Sequence, residues 1–174
     1  MAGNADAKGF VERWRAILDA VPEGENLHQP PHRRSTMTDL ELVAAAIEAR
    51  EHSYSPYSHF AVGAALLCSD GTVYRGCNME NAAYSPGICA ERTAIYKAAF
   101  DGQRDFAAIA IVGGPAGRPI SELCAPCGVC RQVMREFCDP ASFRIILAQS
   151  PDVCEVHTLE ELLPMSFGPN NLGN

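Results

Sequence analysis

The order of local patterns along the chain predicts an α/β fold with a partly parallel sheet and helices packed on it. After residue 60, strand-like and helical patterns alternate as strand, helix, strand, helix, strand. This alternation is typical of crossovers between parallel strands. The chain has 174 residues, of which 47% are apolar and 20% charged. It is therefore long enough to bury one full hydrophobic core without disulfide bonds.

Residues 1–36 differ from the rest and are expected to form an N-terminal extension before the main domain at 37–174. Apolar residues recur at spacings of three and four over residues 10–21, which predicts a short amphipathic helix ending at Pro22. A polar, proline-rich linker follows. We interpret this extension as an accessory segment that packs on the main domain, because it is too acidic for a targeting peptide.

Capping patterns mark the first and the last helix of the main domain. A Thr-x-x-Glu box beginning at Thr38 precedes a helical apolar face, and it predicts a helix over 38–51 that stops before Pro56. A second such box beginning at Thr158 predicts a short helix that ends at Pro164. Two further helices are expected between them, from residue 88 or 89 to about 100 and over about 128–137.

Four apolar runs predict the strands of the sheet. The runs at 60–68 and 72–78 are separated by Ser-Asp-Gly and should form a hairpin. Two later runs, at 106–112 and 143–148, predict buried strands. The segment Gly-Gly-Pro-Ala-Gly at 113–117 is expected to be a loop, and it lacks the spacing of a phosphate-binding motif.

Charge and hydropathy exclude several classes of protein. Fourteen basic and 21 acidic side chains give a net charge of −7, whereas a polynucleotide partner requires a basic surface. No apolar run is long enough to cross a membrane, and no basic segment leads into an apolar one at the N-terminus. We therefore expect a cytoplasmic protein. In that reducing compartment, its eight cysteines indicate metal binding or catalysis more than disulfides.

Two cysteine motifs carry the strongest functional signal. Cys89 and the pair Cys127 and Cys130 each stand at the start of a predicted helix. The positive end of the helix dipole lowers the pKa of a thiol there and favours metal ligation. Zinc fits a set of thiolate ligands best, and three ligands leave the fourth position open, as in catalytic sites. Glu91 lies beside the first ligand, where it can accept a proton from water.

Cys124 leaves a structural alternative open. As a fourth ligand it would close the site, and the zinc would then be structural. Three thiolates and Zn²⁺ together carry a charge of about −1, which opposes the ionisation of bound water. Arg92 could donate to the sulfurs and withdraw part of that charge, whereas without the cysteines an exposed helix arginine would be the preferred interpretation.

Four longer segments extend these motifs: SPYSHFAVGAAL (55–66), GCNMENAAYSPGICAERTAI (76–95), CAPCGVCRQ (124–132) and ELLPMSFGP (161–169). Together they resemble the small homotetrameric cytidine deaminases, and the cysteine motifs follow the zinc deaminase signature with Cys in place of the first His. The resemblance implies a three-layer α/β/α fold with a five-stranded mixed sheet. It also implies a homotetramer with shared active sites.

The resemblance implies roles for individual residues. Cys89, Cys127 and Cys130 would hold zinc, Glu91 would shuttle protons, and Cys124 would be a buried apolar residue. Contacts with the substrate are implied for the ribose-binding pair Asn78 and Glu80, the pocket residue Phe60, backbone groups near Ala90 and Pro126, and Tyr84 and Phe167, which serve a neighbouring subunit. Without the resemblance, Asn78 and Glu80 are typical of polar residues that cap a loop, and Phe60 is typical of a strand core.

The implied reaction is hydrolysis of cytidine and 2′-deoxycytidine to uridine and 2′-deoxyuridine with release of ammonia, as in pyrimidine salvage. It needs no organic cofactor, no nucleic acid and no membrane. Two alternatives stay open at this point. One is a relative that acts on another aminated pyrimidine. The other is a binding module built on a four-cysteine zinc site, which the acidic composition and Glu91 argue against.

Overall fold

The computed structural model describes residues 37–173, so the helix predicted over 10–21 lies outside the described residues. The described part forms one five-stranded sheet flanked by helices. The strands are β1 (Phe60–Cys68), β2 (Val73–Cys77), β3 (Phe106–Pro115), β4 (Arg144–Ser150) and β5 (Val153–Thr158). The helices are α1 (Asp39–Arg50), α2 (Ala90–Phe100), α3 (Gly128–Phe137), α4 (Leu159–Leu162) and a final 3₁₀ turn (Pro169–Leu172).

The sheet is mixed, with the strand order β2-β1-β3-β4-β5. β1 runs antiparallel to both β2 and β3, β3 runs parallel to β4, and β4 runs antiparallel to β5. Helix α1 packs on one face of the sheet, and α2 and α3 pack on the other. The predicted three-layer α/β/α fold is confirmed. No helix among the described residues combines the length and apolar character needed to cross a membrane.

Small residues on the sheet let α1 approach it closely. The strand residues under α1 include Ala65, Ala108 and Ala110, all fully buried. Gly63 of β1 faces the helix backbone, and a Cβ there would lie 2.1 Å from the carbonyl oxygen of Ala46. Because that distance is far inside van der Waals contact, any side chain at position 63 would push α1 off the sheet.

The opposite face holds the larger core and positions the start of α2. Ile95 of α2 and Met134 of α3 are fully buried there against apolar strand residues. At the edge of this face, a Cβ on Gly76 of β2 would lie 2.3 Å from the carbonyl oxygen of Ala90. The first turn of α2 therefore lies directly against β2, close to the residues that follow this strand.

The capped helices and the hairpin agree with the sequence predictions. Thr38 and Thr158 both form reciprocal capping boxes, with Glu41 and Glu161 respectively. The turn between β1 and β2 contains Gly71 at φ 90°, in the left-handed region that glycine favours. The observed elements differ from the predicted ones by only a few residues at most ends, as helix and strand ends commonly do.

Two predictions about the strands were wrong. The segment beginning at Gly113 is not wholly a loop, because β3 continues through Pro115 and pairs with Phe60–Val62 of β1. Gly113 is buried beneath Cys124, whose Sγ would lie 2.5 Å from a Cβ at position 113, so this glycine serves packing and not a turn. The fifth strand, β5, was absent from the local patterns, because its partly exposed edge position gives it no clear apolar run.

Candidate active site

Three cysteine sulfurs come together where α2 and α3 begin. The Sγ atoms of Cys89 and Cys127 are 3.8 Å apart, and those of Cys127 and Cys130 are 3.5 Å apart. All three lie within 4.8 Å of one another. Zinc–sulfur bonds of about 2.3 Å in a tetrahedron separate the sulfurs by about 3.8 Å. The observed spacing therefore fits one zinc ion held by three thiolates.

Helix geometry explains why the sulfurs meet. Cys89 is the N-cap of α2 and Cys127 is the N-cap of α3, both with extended backbones, and Cys130 is buried in the first turn of α3. Neither N-cap side chain bonds to the backbone of its helix. The two sulfurs are thus free to turn toward each other at the positive ends of two helix dipoles.

Hydrogen bonds from neighbouring groups favour a thiolate at Cys89. The Cys130 thiol donates to its sulfur, and Arg92 Nη2 lies 3.6 Å from it, which together lower the pKa of Cys89 to about 5. The same bond to Cys89, together with burial, raises the pKa of Cys130. Arg92 thus lies beside the sulfurs as expected, where it offsets part of their negative charge.

Glu91 lies in the first turn of α2 and is 4% exposed. Burial raises the pKa of its carboxyl group, and hydrogen bonds from its own backbone N–H and from Cys130 oppose that shift only in part. Its place two residues after Cys89 puts Glu91 close to the three grouped sulfurs. A carboxyl group with a raised pKa is suited to accept a proton and return it during one reaction.

Cys124 lies outside the group of three sulfurs. Its side chain packs under Gly113 and against the larger core, and burial raises the pKa of its thiol to about 11. A neutral thiol in apolar surroundings behaves as a small hydrophobic residue and not as a ligand. The geometry therefore groups three sulfurs without Cys124, and three is the number that leaves a tetrahedral zinc one open position.

A cleft of about 440 Å³ opens directly beside Cys89 and Arg92. This volume suits a ligand the size of a nucleoside. Its lining comes from the loop before β1, the loop after β2 and the segment leading into α2. The lining residues are Tyr57, Ser58, Asn78, Met79, Glu80, Asn81, Tyr84, Gly87, Ile88, Cys89 and Arg92.

Asn78 is fixed in the cleft wall by three hydrogen bonds. Its Oδ1 accepts from the Ser53 hydroxyl at 2.6 Å and from the backbone N–H of Val62 at 2.8 Å. Its Nδ2 donates to the carbonyl oxygen of Phe60 at 2.9 Å. These bonds tie the end of β2 to the start of β1 and set the orientation of the amide.

Glu80 is held by the loop that precedes β1. Its Oε2 accepts from the backbone N–H groups of Tyr57 at 2.9 Å and of Ser58 at 3.2 Å. Its Oε1 accepts from the Ser58 hydroxyl. The Ser58 hydroxyl and the Tyr57 N–H lower the pKa of Glu80, so the group is a carboxylate and an acceptor near neutral pH. Sequence reasoning missed Ser53 and Ser58, since serines in a loop carry no distinctive pattern.

The remaining residues that were predicted to contact the substrate do not all line the cleft. Ala90 is fully buried at the first position of α2, and Phe60 is half-buried at the start of β1, with its ring near Gly113. Tyr84 lines the cleft and is 83% exposed, in a left-handed backbone conformation at φ 57°. Phe167 is 60% exposed and does not line this cleft. The carbonyl oxygen of Pro126 accepts a bond from Arg131 at 2.8 Å.

Comparison with known proteins gives this site a family. The family described as "Cytidine and deoxycytidylate deaminase zinc-binding region" matches residues 36–144. The chain belongs to the cytidine deaminase family. That stretch includes the three grouped cysteines and Glu91. The predictions of a zinc-dependent enzyme and of a hydrolytic deaminase are thereby confirmed.

Relatives in this family cover most of the chain. A cytidine deaminase from Sporosarcina psychrophila is 50% identical over 77% of this chain and 95% of its own length. A probable cytidine deaminase from Dictyostelium discoideum is 37% identical over 76% of this chain and 85% of its own. The crystal structure of a cytidine deaminase from Burkholderia pseudomallei is 47% identical, with a TM-score of 0.67 over 75% of this chain and 100% of its own.

Proposed function

We propose that this protein deaminates cytidine and 2′-deoxycytidine to uridine and 2′-deoxyuridine, releasing ammonia in pyrimidine salvage. The observation that carries the proposal is a juxtaposition at one cleft. Three sulfurs with the spacing of zinc ligands lie beside it, and the buried Glu91 carboxyl group stands in the same first turn of α2 that Cys89 caps. The carboxylate of Glu80 and the amide of Asn78 line the wall.

Cys89, Cys127 and Cys130 would hold the zinc, which when bound polarises water and lowers its pKa. Glu91 accepts a proton from the attacking water and passes it to N3 of the pyrimidine ring. A bond then forms between the water oxygen and C4. Glu91 then takes the proton from the new C4 hydroxyl and delivers it to the amino group, the C4–N bond breaks as the C4 carbonyl forms, and ammonia leaves. One buried carboxyl thus serves first as base and then as acid.

Asn78 and Glu80 bind the ribose in this proposal. Oδ1 of Asn78 already accepts two bonds, and Nδ2 donates one, which leaves its second N–H for a substrate hydroxyl. Oε1 of Glu80 accepts one bond, so it can take another from the same hydroxyl. A single hydroxyl that accepts from Asn78 and donates to Glu80 satisfies both groups. Phe60 and the backbone at Ala90 contact the base.

The proposed assembly is a cytoplasmic homotetramer in which neighbouring chains complete each site. Tyr84 and Phe167 are large aromatic residues that are 83% and 60% exposed, so their rings are accessible to a neighbouring subunit. We assign Phe167 to the base-binding site of a neighbouring subunit. Residues 37–174 form the deaminase domain in this proposal, and residues 1–36 form an extension to it.

A substrate panel tests the proposal. Purified protein is incubated with cytidine, 2′-deoxycytidine, cytosine and 2′,3′-dideoxycytidine, and the products are separated by liquid chromatography. We expect uridine and 2′-deoxyuridine to form fastest, with dideoxycytidine impaired because it lacks the ring hydroxyls for Asn78 and Glu80. Equal rates with cytosine and cytidine would contradict the ribose assignment. No product from any of the four would contradict the proposed reaction.

Sedimentation analysis tests the assembly. Four chains of 18.7 kDa give a particle of about 75 kDa. A species of that mass at assay concentrations supports shared sites. An active monomer would contradict them.

A further inference from the structure

Helix α3 holds the segment 166–168 on both sides of Phe167. Nε of Arg135 donates to the Ser166 hydroxyl at 3.1 Å, and Nε2 of Gln132 donates to the carbonyl oxygen of Phe167 at 3.0 Å. Positions 132 and 135 are three residues apart, so both side chains lie on the same face of α3. We call these two residues, together with Gly168, the tail clamp.

Gly168 completes the tail clamp through close packing. The residue is buried, and a Cβ placed on it would lie 2.4 Å from Cζ, 2.6 Å from Nη1 and 2.7 Å from Nε of Arg135. These three short distances show that a Cβ on Gly168 would overlap the centre of the guanidinium group, so the glycine backbone packs directly against this group. Its φ of −162° is an extended conformation open to any residue. Glycine is therefore needed here for contact with Arg135 and not for backbone freedom.

Arg135 is a buried cationic residue of α3. It is 9% exposed, and among residues 37–173 no carboxylate lies within ion-pair distance of it. Burying a cation without an acidic partner costs free energy. The contacts that Arg135 makes instead are with Ser166 and Gly168, the two residues flanking Phe167.

The backbone of residues 166–168 is therefore fixed, whereas the ring of Phe167 is exposed. Gly168 is also joined to the final 3₁₀ turn, since its N–H donates to Oδ1 of Asn171 at 2.8 Å. Every residue from 166 to 168 is thus held, whereas the Phe167 side chain stays 60% exposed. A group immobilised before binding loses less conformational entropy when it meets its partner.

We propose that Arg135 is a positioning residue for the reaction: it holds the tail so that Phe167 is presented, already ordered, to the base in a neighbouring subunit. The proposal rests on the proposed function, and specifically on the assignment of Phe167 to a neighbour's site. Arg135 itself does not contact the substrate. Its planar guanidinium supplies both a donor to Ser166 and a flat surface for Gly168, which a lysine or an aliphatic side chain lacks.

A double-mutant cycle on the full-length zinc-loaded enzyme tests this inference. The variants are Phe167→Ala, Arg135→Met and the double variant, with Arg104→Met as a matched control, since Arg104 is an exposed arginine that contacts only nearby carbonyl groups. We expect Phe167→Ala to lower kcat/KM for cytidine about 5- to 150-fold, the range for loss of one base–aromatic stack. Arg135→Met should lower it by part of that factor, and the double variant should match Phe167→Ala.

A merely structural role of Arg135 would not make the effects of Arg135→Met and Phe167→Ala on kcat/KM non-additive. If Arg135→Met lowers kcat/KM by the same factor in the Phe167→Ala background, the arginine acts on stability or the zinc site, and the inference is wrong. The inference is equally wrong if Arg135→Met leaves kcat/KM unchanged. An inactive wild-type enzyme would instead refute the proposed function, and a neutral Phe167→Ala would refute the shared aromatic together with its positioning residue.

Gly168→Ala provides a second variant that does not remove a charge. Its added methyl group must displace either the Arg135 guanidinium or the tail, because the overlap occurs at 2.4 Å. We expect kcat/KM to fall, zinc content to stay constant, and the effect to disappear when Phe167 is already alanine. Wild-type kinetics in Gly168→Ala would overturn the inference even if Arg135→Met failed to fold.

Discussion

Glu91 combines two properties that a proton shuttle requires. Its carboxyl group is withdrawn from solvent, which raises its pKa toward the range in which it can both accept and donate a proton. It also lies close to the three grouped sulfurs, because Cys89 precedes it by two residues at the start of α2. Position and pKa here both result from the first turn of α2 lying against β2.

Glu91→Gln should separate this chemistry from metal binding. The amide keeps the shape of the side chain but cannot take up a proton, so we expect kcat to fall by at least the roughly 10²–10⁴-fold typical of acid–base groups. Zinc should remain at one per chain by elemental analysis. Glu160→Gln, an exposed change on α4, is the matched control. Near-normal deamination by Glu91→Gln would refute the assigned mechanism.

The ligand count can be tested with two cysteine substitutions. Cys127→Ala removes one of the three grouped sulfurs, so we expect it to lose both zinc and activity. Cys124→Ala removes a thiol buried outside that group, and it should keep both at a small cost in stability. Zinc analysis of the two purified proteins decides the matter. Loss of zinc from Cys124→Ala would favour a four-cysteine structural site.

At the scale of the elements, the last segment of the chain joins assembly to catalysis. α4 begins at a capping box, with the Glu161 N–H donating to the Thr158 hydroxyl at 3.2 Å, and ends before Pro164. At the end of α4, Arg131 Nη1 donates to the carbonyl oxygen of Leu162 at 2.6 Å. Further along the chain, the tail clamp holds 166–168. A terminal segment with these anchors is ordered by α3 and not by its own sequence.

Truncation after Pro164 should lower the activity of the enzyme without removing its zinc. Removing Phe167 eliminates one base–aromatic stack, so kcat/KM for cytidine should fall about 5- to 150-fold while zinc stays bound. Steady-state kinetics and zinc analysis measure both effects.

Mixing the truncated chains with Glu91→Gln chains then tests whether the site is shared. A mixed tetramer can pair an intact tail with an intact glutamate, and part of the activity should return. Unchanged kinetics after truncation, or no recovery on mixing, would argue against a shared site.

Local patterns identify the elements whose signals lie within a few residues. Capping boxes predicted both ends of the domain, and Ser-Asp-Gly predicted the hairpin, because these signals are chemical and short-range. β5 was missed, since its exposed residues depend on pairing with β4 and not on an apolar run. Gly113 was misread for the same reason: its requirement for glycine comes from Cys124, eleven residues away.

The site divides in a similar way. The cysteine spacing predicted which three sulfurs come together and that Glu91 lies beside them, because these residues all stand at helix starts. The supports of the substrate pair could not be read from the chain, since Ser53 contacts Asn78 across 25 residues and Ser58 contacts Glu80 across 22. Arg135 gave no signal either, because its burial under the tail depends on α3 and residue 168 meeting in space.

At the scale of the whole molecule, buried thiols make the folded protein less stable as the pH becomes alkaline. Cys68 and Cys138 lie in the larger core, and burial raises the pKa of each to about 12, above the value of 9.0 for a free thiol. Between these values the unfolded chain releases a proton that the folded protein retains. Unfolding is therefore favoured as pH rises through this range, by about 1.4 kcal/mol per pH unit for each thiol.

Cys68→Ala should make that dependence shallower. The substitution removes one of the thiols whose pKa folding raises, so the free energy of unfolding should fall less steeply between about pH 9 and 11 than in the wild type. A small cavity will lower stability at every pH, so the slope and not the absolute value is compared. Urea unfolding at several pH values measures it. Identical slopes would contradict the burial of Cys68 as an un-ionised thiol.

We propose that three cysteines and one buried glutamate make this chain a zinc-dependent cytidine deaminase. The test follows the ultraviolet absorbance of cytidine with the zinc-loaded protein, with the protein stripped by a chelator, and after zinc is added back. We predict conversion to uridine with zinc, none after stripping, and recovery on zinc addition. Absence of conversion by the zinc-loaded protein, or an undiminished rate in protein shown by elemental analysis to lack zinc, would contradict the claim.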